Sequence, residues 1–428
     1  MVSVNFPSPS PAKQLVGFVP ESNDRGTFSL LSTCLFTTFL CTWVIIHPRV
    51  DDKRRVRIAH KFFLFLKTIV APEFIAVEAA QEWSQARRTV QRCAKYSDQD
   101  FGMVQAFYVG MMGVHYQQAG SVRVLWPNQL EWLLEQGILH WKQISFALST
   151  DALDDRSNAD AMTKLFALCQ VGWFVVQSVL RLIYALPLAP FESMTMAYIP
   201  LFAITIFFWW IKPKDITTSI EIQLPPMCQR EENTLEALAL SSKFDEQENS
   251  RRSLFSRIWS LTPRVFEKEN RMLVDEETGC VVQERPWQVL QMMDHDETPP
   301  PCSSNVQTVW ARWDPDLYYS KMWPVTCLFG VSFGALHLLS WNDEFPTTFE
   351  LWLWRASSIA SMVTMAVFMQ FKQVVVDWKD PLMAIKIAMP LLYLLSRLAI
   401  MAVAFAALRA SDPAVYTTPA VSKYWLHV

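Results

Sequence analysis

The chain has 428 residues, a net charge of −3, and a composition that is 51% hydrophobic but only 18% charged. With no basic excess, nucleic acid is not an expected partner. The apolar residues are gathered in long blocks between strongly polar ones, which excludes an ordinary soluble multidomain protein and points to helical membrane spans joined by loops. Many of the 18 tryptophans and 28 phenylalanines close these blocks, as at Trp209, Trp210, Trp341, Trp352 and Trp354, where aromatic side chains suit the membrane–water interface. Cys34, Cys41, Cys169 and Cys327 fall inside apolar blocks, and Cys93, Cys228, Cys280 and Cys302 in segments expected in the cytosol, so no disulfide is expected. No Cys/His spacing suits zinc. Neither a metal nor a cofactor is expected.

In chain order, residues 1–26 are Pro- and Ser-rich and read as disordered. Residues 27–46 form a first span, with Cys34, Thr37, Thr38 and Cys41 on one face suited to close helix contact. His47-Pro48 ends it, and the basic block HPRVDDKRRVRIAHK follows. By the positive-inside rule that block is cytosolic and the N-terminus lies outside or in the lumen; anionic lipid headgroups are its expected surroundings. Residues 62–80 read as one interfacial or re-entrant amphipathic helix, with Lys67, Glu78 and Glu82 on one face and Glu73 pointing away among Phe62, Leu66, Ile69 and Ala80. A short apolar stretch (101–116) and a soluble helical segment (127–146) complete the 47–160 region.

Asp154 to Asp160 has the spacing DDxxxxD. This differs from the aspartate motifs that hold metal diphosphates, and Ser157-Asn158-Ala159-Asp160 ahead of an apolar run has the form of a helix cap. A membrane hairpin then occupies 161–211. Its first helix, about 25 apolar residues, is long enough to cross roughly 30 Å of hydrocarbon. Thr163, Gln170, Trp173, Gln177, Arg181 and Tyr184 fall within an arc of about 80° at 100° per residue, which predicts a polar seam facing the interior. The turn around Pro187–Glu192 is expected to bring Arg181 against Glu192. Residues 212–320 read as a long flexible cytosolic loop. Three spans in 321–428 complete an all-α, polytopic membrane helical bundle of six to eight spans. The first carries Gly330, Gly334 and His337 on one face and the second Ser357, Ser361 and Thr364 on one face; the third contains Pro390, Tyr393, Ser396 and Arg397. Arg397 lies near mid-span, where insertion scales put a charge at roughly +2.5 to +3.5 kcal/mol, so it requires a partner.

These buried polar groups supply the candidate site. A carboxylic acid in apolar surroundings has a raised pKa and suits general-acid work, which points to Glu73 with Arg397 as catalytic candidates. Gln170, Trp173, Gln177, Arg181 and His337 are the candidate substrate-binding residues, and a lipophilic small molecule is the expected ligand. The alternative is a non-catalytic scaffold, receptor or transporter using the same seam for packing or passage. The chain lacks the internal repeat and paired broken helices of many secondary transporters and the Gly-rich phosphate loop of a pump.

Asp24-Arg25-Gly26-Thr27 before the first span, Ala71-Pro72-Glu73, DRSNAD, QVGWFVVQSVLR, WWIKP, FPTTFELWLWRASS and the terminal VYTTPAVSKYWLHV, in this order, resemble a large fungal group of polytopic integral membrane proteins. Members of that group are mostly without assigned activity, and some occur among genes for natural-product biosynthesis. The resemblance implies a membrane-bound component of a secondary-metabolite pathway, a cyclase or isomerase of a polyketide or terpenoid intermediate, in the endoplasmic reticulum or another endomembrane, with the 212–320 loop available to other pathway proteins. The chain departs from the group's pattern at Gln105, at Asn158-Ala159 and at Val403, where the group has an acidic residue after the arginine that Arg397 matches.

Overall fold

The computed structural model describes residues 15–21, 24–51, 53–97, 100–118, 120–156, 161–239, 253, 271–275, 281–283, 306–310, 323–370 and 383–418. Helix α1 (Thr27–Trp43) is followed by α2 (Arg54–Val70) and α3 (Pro72–Cys93). The single amphipathic helix expected over 62–80 is therefore two helices. Pro72 cannot donate to the preceding turn and disfavours helical geometry in the residue before it; Ala71 accordingly leaves the helix at φ −144°, ψ 67°. The break lets Lys67 at the end of α2 pair with Glu78 on α3 and turns Glu73 into the bundle, fully buried.

Among the described residues three helices are long and apolar enough to cross a membrane, over Met162–Ile183, Pro190–Trp209 and Ile387–Ala407, which is compatible with an integral membrane protein. They belong to α8 (Ala161–Ile183), α9 (Pro190–Trp209) and a C-terminal helix over Met383–Ala407. The described residues thus support three candidate spans and not six to eight: α1 is apolar but only 17 residues long, and the helix over Trp323–His337 has 15. The helix over Thr348–Gln370 carries Glu350 and Arg355 in its opening turns. Numbered after the short α10 given below, these three C-terminal helices are α11 (Trp323–His337), α12 (Thr348–Gln370) and α13 (Met383–Ala407). Helix α9 is the central one, packed on α1, α3, α11 and α13, whereas α8 lies at the edge against α1. The close approach expected on α11 is present at Gly334: a Cβ there would sit 2.5 Å from Met362 Cγ, so glycine lets α12 approach this closely.

The polar arc expected to face inward on α8 is displaced. The buried face is Lys164, Ala167, Val171, Phe174, Ser178 and Arg181, while Gln170, Trp173 and Gln177 are half-buried and Thr163 and Tyr184 exposed. An edge helix can turn its packing residues onto one neighbour and anchor its ends: Lys164 Nζ reaches the Trp210 carbonyl at 2.8 Å. At the other end Arg181 donates to the carbonyls of Pro187, Ala414, Val415 and Thr417. The expected Arg181–Glu192 pair is not formed. Glu192 is held instead by Arg25, through bonds of 2.5 and 3.0 Å, and by the Ala189 amide at 2.9 Å. Arg25 fits both carboxylate oxygens with its planar fork, while the Arg181 donors are used on carbonyls.

Outside the long helices the chain is not all-α. After α4 (Met103–Gly110), strands β1 (Val114–Gln118) and β2 (Ser121–Val124) form a hairpin, and β3 (Ile220–Gln223) adds to β1 in parallel, with Val114 opposite Ile220. Val114, Tyr116, Ile220 and Ile222 point inward, the alternation of a half-buried strand. Helices α5 (Pro127–Glu135), α6 (Trp141–Ile144) and α7 (Thr150–Arg156) follow. Helix α10 (Gln229–Leu238) docks on α5 through Gln129 Nε2 to the Leu235 carbonyl, 2.7 Å, and on β2 through an Arg123–Glu236 pair. The start of the segment expected to be a flexible loop is thus folded onto 101–146. Strands β4 (Arg271–Asp275), β5 (Val281–Gln283) and β6 (Val306–Trp310) form a second sheet in the order β5-β4-β6. Residues 1–14, the Ser157–Asp160 cap and the rest of 240–322 lie outside the described residues.

Val16 and Ser411 exchange two backbone bonds of 2.9 and 2.8 Å, so the segments flanking α1 and α13 meet beside the α8–α9 turn. The basic segments gather at the opposite end of α1, where Lys214 Nζ reaches the Val44 carbonyl at 2.6 Å and Lys61 pairs with Asp215 at 2.8 Å.

Candidate functional site

Pro72 opens α3 with a preset backbone angle, which places Glu73 in the first turn, where the helix dipole favours a negative charge. The carboxylate faces α13. Tyr393 and Arg397 stand one turn apart there, and both donate to Glu73 Oε1 at 2.5 Å. Arg397 is the mid-span charge that needed a partner, and Glu73 is that partner in a chain whose position 403 is valine. The guanidinium carbon also lies 3.6 Å from the Phe333 ring centroid and 4.9 Å from that of Tyr393, so aromatic faces take up charge not met by the carboxylate.

The α2–α3 break shapes the other side. The last carbonyls of α2 lack helical donors. Tyr198 from α9 donates to the Ile69 carbonyl at 2.5 Å, and the Tyr393 hydroxyl lies 3.4 Å from that of Val70. Glu73 Oε2 and Arg397 Nε and Nη1 are buried with no hydrogen-bond partner among the described residues, leaving this polar group with unused capacity.

Beside it is a cavity of about 320 Å³. Lys67, Val70 and Ala71 contribute from α2 and the break, Phe74 from α3, Met365 from α12, and Met389, Pro390 and Tyr393 from α13. Its size suits a small ligand, and its lining is almost wholly apolar. Lys67 is already engaged with Glu78. Tyr393 thus stands on the cavity wall with its hydroxyl held on Glu73 and backed by Arg397. A phenol bonded to a carboxylate can give its proton to that carboxylate as it takes one from a ligand, and can return it on the reverse path.

Of the sequence-derived candidates, Glu73 and Arg397 are brought together, behind the wall and not on it. Gln170, Trp173 and Gln177 lie on α8 and Arg181 at its end, and none of these lines the cavity. His337 is packed between Phe333 and Trp354, at 4.8 and 5.6 Å between ring centroids. Its Nδ1 lies 2.7 Å from the Phe333 carbonyl, and its own carbonyl accepts from Trp354 Nε1 at 3.2 Å. Sequence reasoning misses Tyr393, Met365, Met389 and Phe74. The one legible sign is that Tyr393 precedes Arg397 by four residues, a spacing that puts both on one helical face. Among the described residues no group of three His, Cys, Asp or Glu could hold a metal.

A family model described as a family of unknown function (DUF8562) matches residues 1–251. No curated protein and no solved structure matches the chain.

Proposed function

The chain belongs to this family of unknown function (DUF8562), and from that premise we propose that it is a membrane-bound component of a fungal secondary-metabolite pathway that isomerises or cyclises a lipophilic polyketide or terpenoid intermediate. The observation that carries this reading is the apolar cavity lined by Tyr393, whose hydroxyl is bonded to a buried Glu73–Arg397 pair. In an isomerisation the phenol oxygen takes a proton from a ligand carbon as the phenol proton passes to Glu73. The proton then returns to a different carbon, so atoms and charge balance without an oxidant. Arg397 holds the carboxylate in place, and Phe333 holds Arg397. The apolar walls exclude water, which strengthens each electrostatic contact.

In the same reading α1, α8, α9, α11, α12 and α13 all cross an endomembrane, with Arg49 to Lys67 and Lys212/Lys214 on the cytosolic side. The contact between β1 and β3 supports the same side for 101–146. A glycosylation acceptor inserted near residue 120 or 225 stays unmodified in cells; modification at either reverses the orientation.

The functional test is the metabolite profile of a deletion strain complemented with wild type, Glu73→Gln or Arg397→Met. The reading expects one product to vanish on deletion, to return with wild type, and to stay absent with both variants when product is scaled to the amount of each folded protein in the membrane. An unchanged profile on deletion favours a scaffold.

A further inference from the structure

Helix α2 presents two faces. Val56, His60, Leu64 and Thr68 are buried, whereas Ile58, Phe62 and Leu66 are 60%, 55% and 45% exposed. The exposed residues recur at every fourth position, so they form one apolar row about 12 Å long at 1.5 Å per residue. The next position in the row is Val70, which lines the cavity beside Tyr393. At the other end of the row, Lys53, Arg54 and Arg55 are exposed. The neighbouring cations are turned inward: Arg57 donates to the carbonyls of Asp51 and Thr217, and Lys61 pairs with Asp215.

The surroundings set the depth of this helix. Trp43, the last residue of α1, packs against Phe39 and Phe65, with centroids 5.7 and 5.5 Å apart, and the Lys61 ammonium lies 4.9 Å over its ring. Such an aromatic cluster at the end of an apolar helix marks the membrane–water interface. Helix α2 contacts α1 beside that cluster. An apolar row at this depth meets acyl chains, and basic residues at its start meet headgroup phosphates.

We propose that α2 enters the membrane from its interface, with Ile58, Phe62 and Leu66 in the acyl layer and Lys53, Arg54 and Arg55 bound to the phosphates of anionic phospholipids. Charge complementarity selects that occupant: three adjacent cations at a helix N-terminus, where amides also favour anions, stand at the head of an apolar row that a soluble anion would leave in water. The lipid then holds the mouth of the cavity, at Val70, in the acyl layer. This surface does not depend on the reaction assigned to the cavity.

The test uses full-length protein in nanodiscs of phosphatidylcholine with or without phosphatidylserine, reading lipid retained after purification and hydrogen exchange over residues 54–66. Phosphatidylserine should be enriched over its bulk share and should slow exchange in this helix. The triple variant Lys53→Gln/Arg54→Gln/Arg55→Gln should bind it on the order of a hundredfold more weakly, while Lys142→Gln, at an exposed position elsewhere, behaves as wild type. Ile58→Ser/Phe62→Ser should exchange faster than wild type over this helix in both kinds of disc. Retention at the bulk share, equal retention by the triple variant, or slowing by soluble glycerophosphoserine in phosphatidylcholine discs would overturn the proposal.

Discussion

Arg397 and Glu73 lie 324 positions apart in the chain and 2.5 Å apart across the contact between α13 and α3. Both are buried, and the Tyr393 hydroxyl shares the same carboxylate oxygen. Removing one member strands the other charge in an apolar interior. Arg397→Met and Glu73→Gln should each destabilise by about 3–5 kcal/mol, and the double variant should recover a substantial part of that loss. Thermal unfolding of the four proteins in one detergent measures the cycle; strictly additive losses would mean that the pair is not coupled.

The bond between Arg25 and Glu192 joins the segment before α1 to the start of α9, and Arg25 also reaches the Val415 carbonyl at 2.8 Å. Arg25→Met and Glu192→Gln should show a coupling of about 0.5–3 kcal/mol, larger than that between Arg181→Met and Glu192→Gln. Equal couplings would contradict the assignment of Glu192 to Arg25.

Ala185 ends α8 in the left-handed region at φ 52°, and the Leu186 amide bonds the Arg181 carbonyl at 2.8 Å, the arrangement in which helices usually place glycine. Ala185→Gly should stabilise the protein by about 1 kcal/mol, since glycine has no Cβ to strain there. A lowered unfolding temperature would contradict this.

Asp343, in the turn between α11 and α12, is pushed up to about 6, chiefly by burial. The folded state therefore holds this proton over a range, from about pH 4 to 6, in which the unfolded chain has released it. Stability from this group is full below pH 4 and falls as pH rises through 6. Asp343→Asn should remove that falling component, so the difference in unfolding temperature between variant and wild type grows in the variant's favour from pH 4 to 7. A difference that is flat with pH would show that Asp343 does not titrate there.

The sequence marks Glu73 and Arg397 because a charge inside an apolar run is costly wherever the run lies. It does not reveal that they meet, since that depends on the break at Ala71 and on which face α13 turns to α3. Tyr393 looks like any span aromatic until the neighbouring carboxylate is placed. The α8 arc misleads for a related reason: periodicity finds a polar face, but whether that face turns inward depends on how many neighbours the helix has, and α8 has few. Arg25 sits in a stretch whose composition suggests disorder, and its order comes from partners at Glu192 and Val415. The β1–β3 pairing is equally invisible locally, because its two strands are about a hundred residues apart and a few residues long.

The central claim is that the cavity beside Tyr393 holds a lipophilic molecule on which that hydroxyl acts. The most direct measurement is mass spectrometry of small molecules extracted from protein purified out of its producing strain, comparing wild type, Tyr393→Phe and Met389→Trp, which fills the cavity. The account predicts a bound lipophilic product with wild type, its unconverted precursor with Tyr393→Phe, and neither with Met389→Trp. The same molecule recovered from all three, or product formed normally by Tyr393→Phe, would contradict it.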